Sequence, residues 1–303
     1  MKISLLQRSA VKGIRYAISA LFVVLVFSVA VMAQESGSIN GTVTDPNGAL
    51  VPGATVTVKS VGTSAERTVT TATDGTYLVT NLQPGLYDVS VTATGFGATT
   101  QRAQVSVGGR LTLDFALGLG AQPTATVEVV AGSGGVEVNT TDQQVSSVVT
   151  NRQIRELPTV TRNAYDLVSL SGNVATDTSL RGTGFAINGQ RAASTSILLD
   201  GAENVDTFTA GIGQAVPLDS VQEFRVITGN FSAEYGRASG GVVNVATIAG
   251  SNEFHGTLYE FNRISKLASN GFDNNANGIE RAVFTRNQFG YSVGGPIFKN
   301  KLF

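Results

Sequence analysis

The sequence predicts a mostly β chain in three folded parts. An immunoglobulin-sized β-sandwich comes first, a compact α+β module second, and the first two strands of an incomplete transmembrane β-barrel last. Three observations predict this. Apolar and polar residues alternate with a period of two from Gly37 to Leu119, between clusters of turn residues. Capping signals and short strand-like runs intermingle from 142 to 250. The end of the chain is rich in rings, with nine of the 22 aromatic residues falling in 254–303, again in alternation.

Composition narrows the chemistry. The 303 residues include 21 bases, 22 acids, one histidine and no cysteine. Disulfide frameworks, thiolate zinc sites and cysteine nucleophiles are thereby excluded, and so is any multi-histidine metal site. Residues 1–33 form an export address. Lys2, Arg8, Lys12 and Arg15 precede an apolar run from Ala17 to Met32, and Val31-Met32-Ala33 offers small residues for cleavage. The run is slightly short for a membrane span, and no positive flank follows it. Cleavage predicts a mature chain that starts at Gln34, with 17 bases and 22 acids. A mildly acidic exported chain lacks the clustered Lys and Arg that nucleic acid requires.

In the first part, 34–120, Val56 and Val58 alternate with Thr55, Thr57 and Lys59. Tyr87, Val89 and Val91 alternate with Asp88, Ser90 and Thr92, and Leu111, Leu113, Phe115 and Leu117 form a last alternating run. Asp45-Pro46-Asn47-Gly48, Asp74-Gly75, Gln83-Pro84-Gly85 and Gly108-Gly109 supply turns. About seven short strands in under 100 residues suit a sandwich. Gly41-Thr42-Val43-Thr44-Asp45, Val51-Pro52-Gly53-Ala54, Asp74-Gly75-Thr76-Tyr77, Leu82-Gln83-Pro84-Gly85-Leu86-Tyr87 and Gly95-Phe96 resemble the carboxypeptidase-regulatory-like domain. That resemblance implies a transthyretin-like sandwich, grouped with carbohydrate-binding-like folds. It brings no peptidase chemistry, since zinc ligands are missing. A sugar platform would need exposed rings, and of Tyr77, Tyr87, Phe96 and Phe115, the phase of Tyr87 and Phe115 places them in the core.

Residues 121–141 read as a flexible linker around the β-branched patch Thr124–Ala131. Thr126, Val127, Glu128, Val129, Val130 and Ala131 resemble a TonB box, the short segment with which outer-membrane receptors engage a TonB-type periplasmic energy-transducing protein. An isolated strand between flexible arms can add to the edge of a partner's sheet. Taken alone, the hexamer suits a last sandwich strand or a plain spacer equally well. The module that follows favours docking.

That module, 142–250, opens with Thr150-Asn151-Arg152-Gln153, a capping box for a short helix ended by Leu157-Pro158. A second short helix is expected over Asn163–Leu170, with Ala164, Leu167 and Val168 on one face and Gly172 as a stop. Strand-like runs follow at Phe185–Asn188, Ser196–Leu199 and Phe224–Ile227. The ordered motifs Ile154–Pro158, Ile187-Asn188-Gly189-Gln190-Arg191, Ile197-Leu198-Leu199-Asp200-Gly201, Leu218–Val226 and Tyr235–Thr247 resemble the plug domain of TonB-dependent receptors. Their wording is closest to the Oar-like subgroup, which carries a carboxypeptidase-regulatory-like module ahead of the plug.

Two other chemistries are weaker fits. Gly236-Arg237-Ala238-Ser239-Gly240-Gly241 is glycine-rich, but no Lys-Ser/Thr follows to complete a phosphate cradle. Asp200, Glu203, Asp206 and Asp219 invite a paired-carboxylate hydrolase, although acids beside Gly and Asn usually mark turns.

In 251–303, Asn287, Phe289, Tyr291, Val293 and Ile297 share one parity, and Arg286, Gln288, Ser292 and Pro296 the other. This is the lipid-out, lumen-in pattern of an outer-membrane strand. The run Phe254–Arg263 is less regular. Phe254 and Leu258 share a parity, whereas Tyr259 and Phe261 share the opposite one, and a bulge or an interfacial girdle would each explain the switch. Asp273, Asn275, Asn277 and Gly278 open like an EF-hand loop, but Phe284 stands where the closing Glu is needed, so a polar surface loop is expected. Gly294–Phe303 resembles the first periplasmic turn of Oar-like receptors. About fifty residues suffice for two strands, whereas plugged transporters close with about 22. A fragment or a truncated chain is therefore expected.

The sequence thus predicts the N-terminal part of an outer-membrane TonB-dependent receptor, with a gating plug and no catalytic residue, metal or cofactor. Its partners are a TonB-type transducer, outer-membrane lipid and an unidentified glycan, peptide or metal chelate, with no nucleic acid. The rival reading is a secreted or surface carbohydrate-binding protein without transport.

Overall fold

The computed structural model describes residues 36–120, 127–131 and 143–303, apart from 160, 178, 180 and 233. The expected leader, 1–33, and Thr126 lie outside the described residues. The first part holds β1 (Gly37–Thr44), β2 (Thr55–Ser60), β3 (Glu66–Thr70), β4 (Thr76–Leu82), β5 (Gly85–Thr92), β6 (Thr99–Val105), β7 (Arg110–Thr112) and β8 (Phe115–Ala116). Strand β9 (Val127–Ala131) follows. One sheet runs β4-β1-β7 with β8 also on β1, and the other runs β3-β2-β5-β6-β9.

Alternation is converted directly into burial. Along β1 buried and half-buried residues alternate, which puts Ile39 and Val43 against Val56, Val58, Val89 and Val91 of the facing sheet. Tyr87 and Phe115 are in the core as their phase predicts. Tyr77 joins them at 4% exposure, its hydroxyl donating to the Leu113 carbonyl at 2.7 Å. These rings are therefore not a sugar-stacking platform.

The run expected as one strand over Leu111–Leu117 is two short strands, both parallel to β1. Asp114 causes the break. Its carboxylate accepts from the backbone N–H of Thr42 at 2.7 Å and from the Thr42 hydroxyl at 2.8 Å, so a side chain replaces the ladder there. The crossing chain runs so close that a Cβ on Gly41 would collide with the Leu113 carbonyl.

The second part begins with β10 (Val145–Val149) and helix α1 (Asn151–Glu156). The capping box is present. Gln153 N–H donates to Thr150 Oγ1, and Thr150 N–H donates to Gln153 Oε1 at 2.9 Å. The second helix, Ala164–Leu170, is 3₁₀ rather than α, and it ends at an extended Ser171, one residue before the glycine expected to stop it. Its buried residues are Ala164, Tyr165, Leu167 and Val168.

Then come β11 (Val174–Thr176), β12 (Phe185–Ile187), β13 (Thr195–Leu199), β14 (Ala202–Glu203), β15 (Val221–Gly229) and β16 (Gly241–Thr247). Strands β11 and β12 pair by themselves, and the main sheet is ordered β10-β15-β16-β13-β14. It is mixed, since β13 lies parallel to β16 while its other pairs are antiparallel. Asp200 and Gly201, both at positive φ, make the two-residue turn between β13 and β14. The Asp200 carboxylate accepts from Thr247 N–H at 2.8 Å and so clips this turn to the end of β16.

The last part is a hairpin of β17 (His255–Ile264) and β18 (Thr285–Gly294), joined through the short helix α2 (Phe272–Ala276). Ten residues of each strand pair without a shift of register.

Candidate functional site

Two places bear on function: the strand β9 and the seam between the second module and the hairpin. Strand β9 lies parallel to β6, with Gln101 opposite Val127 and Ala103 opposite Ala131 across an irregular register. It is the outermost strand of its sheet. Among the candidate docking residues, the backbone of Val127, Glu128, Val129, Val130 and Ala131 thus forms a sheet edge. Such an edge is a template for a further strand.

At the seam, the regular ten-pair ladder removes the bulge as an explanation for the parity switch in β17. There is no bulge. Direct cross-strand partners share a face, so Tyr259, Phe261 and Arg263 lie with Gly290, Gln288 and Arg286. The opposite face presents Leu258, Phe289, Tyr291 and Val293, which are 87, 77, 79 and 78% exposed. The two inward rings receive a cation from the second module. The Arg162 guanidinium lies 3.7 Å from the Phe261 ring centroid and 4.9 Å from that of Tyr259. Arg162 also donates to Asp219 at 2.8 Å, with the two side chains 13 and 22% exposed. Gly290 matches this packing, because the Tyr259 ring occupies the space a Cβ would need. Arg263 and Arg286, also cross-strand partners, line the same cleft as Arg162 and Gln288.

The four acids singled out in the sequence serve four separate contacts. Asp200 holds Thr247, Glu203 faces Arg237 at 3.5 Å, and Asp219 holds Arg162. Asp206 accepts from Phe208 N–H and Thr209 Oγ1, both at 2.8 Å, and these bonds lower its pKa. Among the described residues no group of three or more His, Asp or Glu could hold a metal.

The glycine-rich stretch is structural as well. Ser239 and Gly240 N–H both donate to the Ser194 carbonyl at 3.1 Å, so they are not turned towards a phosphate. The EF-hand-like segment is an exposed helical turn in which the Asn277 side chain donates back to the Asp273 carbonyl at 2.8 Å.

Asn204, absent from the sequence candidates, organises the loop between β14 and β15. Its amide donates to Tyr165 Oη at 3.1 Å and to the Gln214 carbonyl at 2.9 Å, and it accepts from Gln214 N–H at 2.7 Å. Burial raises the Tyr165 pKa.

Three stretches of the chain match known families. Residues 38–118 match the carboxypeptidase regulatory-like domain, 137–243 the TonB-dependent receptor plug domain, and 246–303 an outer membrane beta barrel domain. The TonB-dependent transporter Oar of Myxococcus xanthus is 28% identical over 295 residues, 92% of this chain and 27% of that protein. The probable TonB-dependent siderophore receptor PirA of Acinetobacter baumannii is 28% identical over 174 residues, 52% of this chain and 21% of that protein. The crystal structure of PirA aligns with 51% of this chain and 22% of its own, with a TM-score of 0.39 and 28% identity. The chain spans about a quarter of the length of the curated relatives it matches.

Proposed function

We propose, for a chain that is the N-terminal part of a TonB-dependent receptor, that residues 34–120 form a periplasmic module and 142–250 a gating plug for energy-coupled uptake. Receptors of this family are non-enzymatic transporters of the cell outer membrane. Strands β17 and β18 begin the barrel wall, and the outer-face side chains Leu258, Phe289, Tyr291 and Val293 meet outer-membrane lipid. One observation carries the plug reading. Arg162 reaches out of the second module onto the inward face of the hairpin, as a plug held against a wall would require.

The linker, 121–141, offers Thr126–Ala131 to a TonB-type protein by strand addition, and an edge strand at 127–131 supports that reading. Pulling on this segment remodels the plug and opens a path for a glycan, peptide or metal chelate too large for porins. The test is Val129→Pro, which removes a backbone donor from the strand. Pull-down of the receptor by a purified TonB-type periplasmic domain is expected to weaken by tenfold or more. Unchanged binding would remove the docking assignment.

A further inference from the structure

The main sheet of the plug is buried on two faces. One packs Phe224, Val226, Val243 and Val245 into the hydrophobic core. The other carries Glu223, Arg225 and Asn244, which are 5, 5 and 0% exposed. Arg225 and Asn244 are direct cross-strand partners and so share that face, and Glu223 sits two residues along the same strand.

The sandwich reaches this face through one turn. Ser106–Gly109 is closed by Gly109 N–H donating to the Ser106 carbonyl at 2.9 Å, and Val107 within it is 2% exposed. Val107 N–H donates to Glu223 Oε1. The Val107 carbonyl accepts from Arg225 Nε at 2.8 Å, while Arg225 also donates to Ser146 Oγ at 3.0 Å. Both backbone groups of one sandwich residue are therefore gripped by two charged plug side chains more than 110 positions away.

We propose that this contact is a releasable latch between the sandwich and the plug. A permanent seam would bury apolar side chains, which gain nothing from water on opening. This seam buries a carboxylate, a guanidinium and the Asn244 amide, and neither polar atom of that amide has a partner. Opening rehydrates all three, which lowers the cost of separation. Closed, the latch uses charge-assisted bonds whose geometry fixes register. A separate tie joins the sandwich to the start of the last part, Asn252 N–H donating to the Gly62 carbonyl at 2.9 Å. With the latch closed, the sandwich is held to the plug at Val107 as well as through the chain that joins them. A pull that parts the two modules is then borne by the latch. That mechanical role rests on the gating proposal, whereas the latch itself rests on the contact at Val107.

The test uses the full chain. Because it has no cysteine, a cysteine pair introduced at Asn47 and Glu156, both exposed, can be labelled for energy transfer. The parent is expected to show one narrow distance distribution. Arg225→Met removes the carbonyl grip from the plug side. Val107→Pro removes the donor from the sandwich side, at the second position of a turn whose third residue, Gly108, has φ +58°, a setting in which proline is favoured. Each variant is expected to raise the open population at least tenfold while the amides of Val89 and Val243 stay protected from exchange. If Arg225→Met unfolds the plug, Val107→Pro decides alone, because it alters only the sandwich. An unchanged open population overturns the latch and leaves the Val129→Pro result standing. Lost docking assignment with a tenfold opening overturns only the partner reading.

Discussion

Arg162→Ala tests the seam between plug and wall. The arginine pairs with Asp219 and stacks on Phe261 with only 13% of its side chain exposed. A desolvated cation–ring contact contributes about 2 kcal/mol, and a hydrogen bond to a charged partner about 1.5–3 kcal/mol. Water entering the vacated space recovers part of this, so a net loss of about 2–3 kcal/mol is expected, or about 30- to 150-fold in an opening constant. The hairpin should register that loss, because two isolated strands are marginal in water. Hydrogen exchange of the full chain in detergent is the assay. Paired amides across β17 and β18 should exchange about 30- to 150-fold faster in Arg162→Ala, with those of Val243 and Val245 unchanged. Arg162→Lys should fall between, since it keeps the charge and loses the planar stack. Equal hairpin exchange in parent and alanine variant would refute the reasoning.

Other outcomes follow from single contacts. Tyr77→Phe removes the hydroxyl that satisfies the Leu113 carbonyl and should lower sandwich stability by about 1 kcal/mol in denaturant titrations. Burial raises the Tyr77 pKa above its ordinary value. Its contribution is therefore full below about pH 10 and declines as pH rises beyond that, where only the unfolded hydroxyl ionises. The phenylalanine variant should lose less stability in that alkaline window. Thr150→Ala deletes the cap of α1 and should cost about 1 kcal/mol, read as faster proteolysis near Arg152. Asn204→Ala leaves Gln214 N–H without its acceptor and should cost about 1–3 kcal/mol by thermal melting.

Legibility along the chain followed the range of the interaction. The Thr150 capping box spans four residues, and the structure contains it. Alternation in β1, β2 and β5 likewise became the sandwich core. By contrast, Leu111–Leu117 broke because Asp114 meets Thr42, a partner 72 residues away. The strand Gly241–Thr247, central in the plug sheet, reads in sequence as a glycine-rich motif followed by a nearly continuous apolar run. Burial on both faces erases the alternation that would have marked it.

The partner of the two β17 rings, Arg162, left no mark in the sequence of that strand, since it belongs to another module. The grip on Val107 gave no signal at all, because a backbone peptide has no residue type to recognise. Short-range patterning of apolar, capping and turn residues was sufficient to mark the modules and their order. Which charged side chains bridge those modules was decided only when distant segments met, for an unpaired charge and a buried one look identical in sequence until the partner and the exclusion of water are in place.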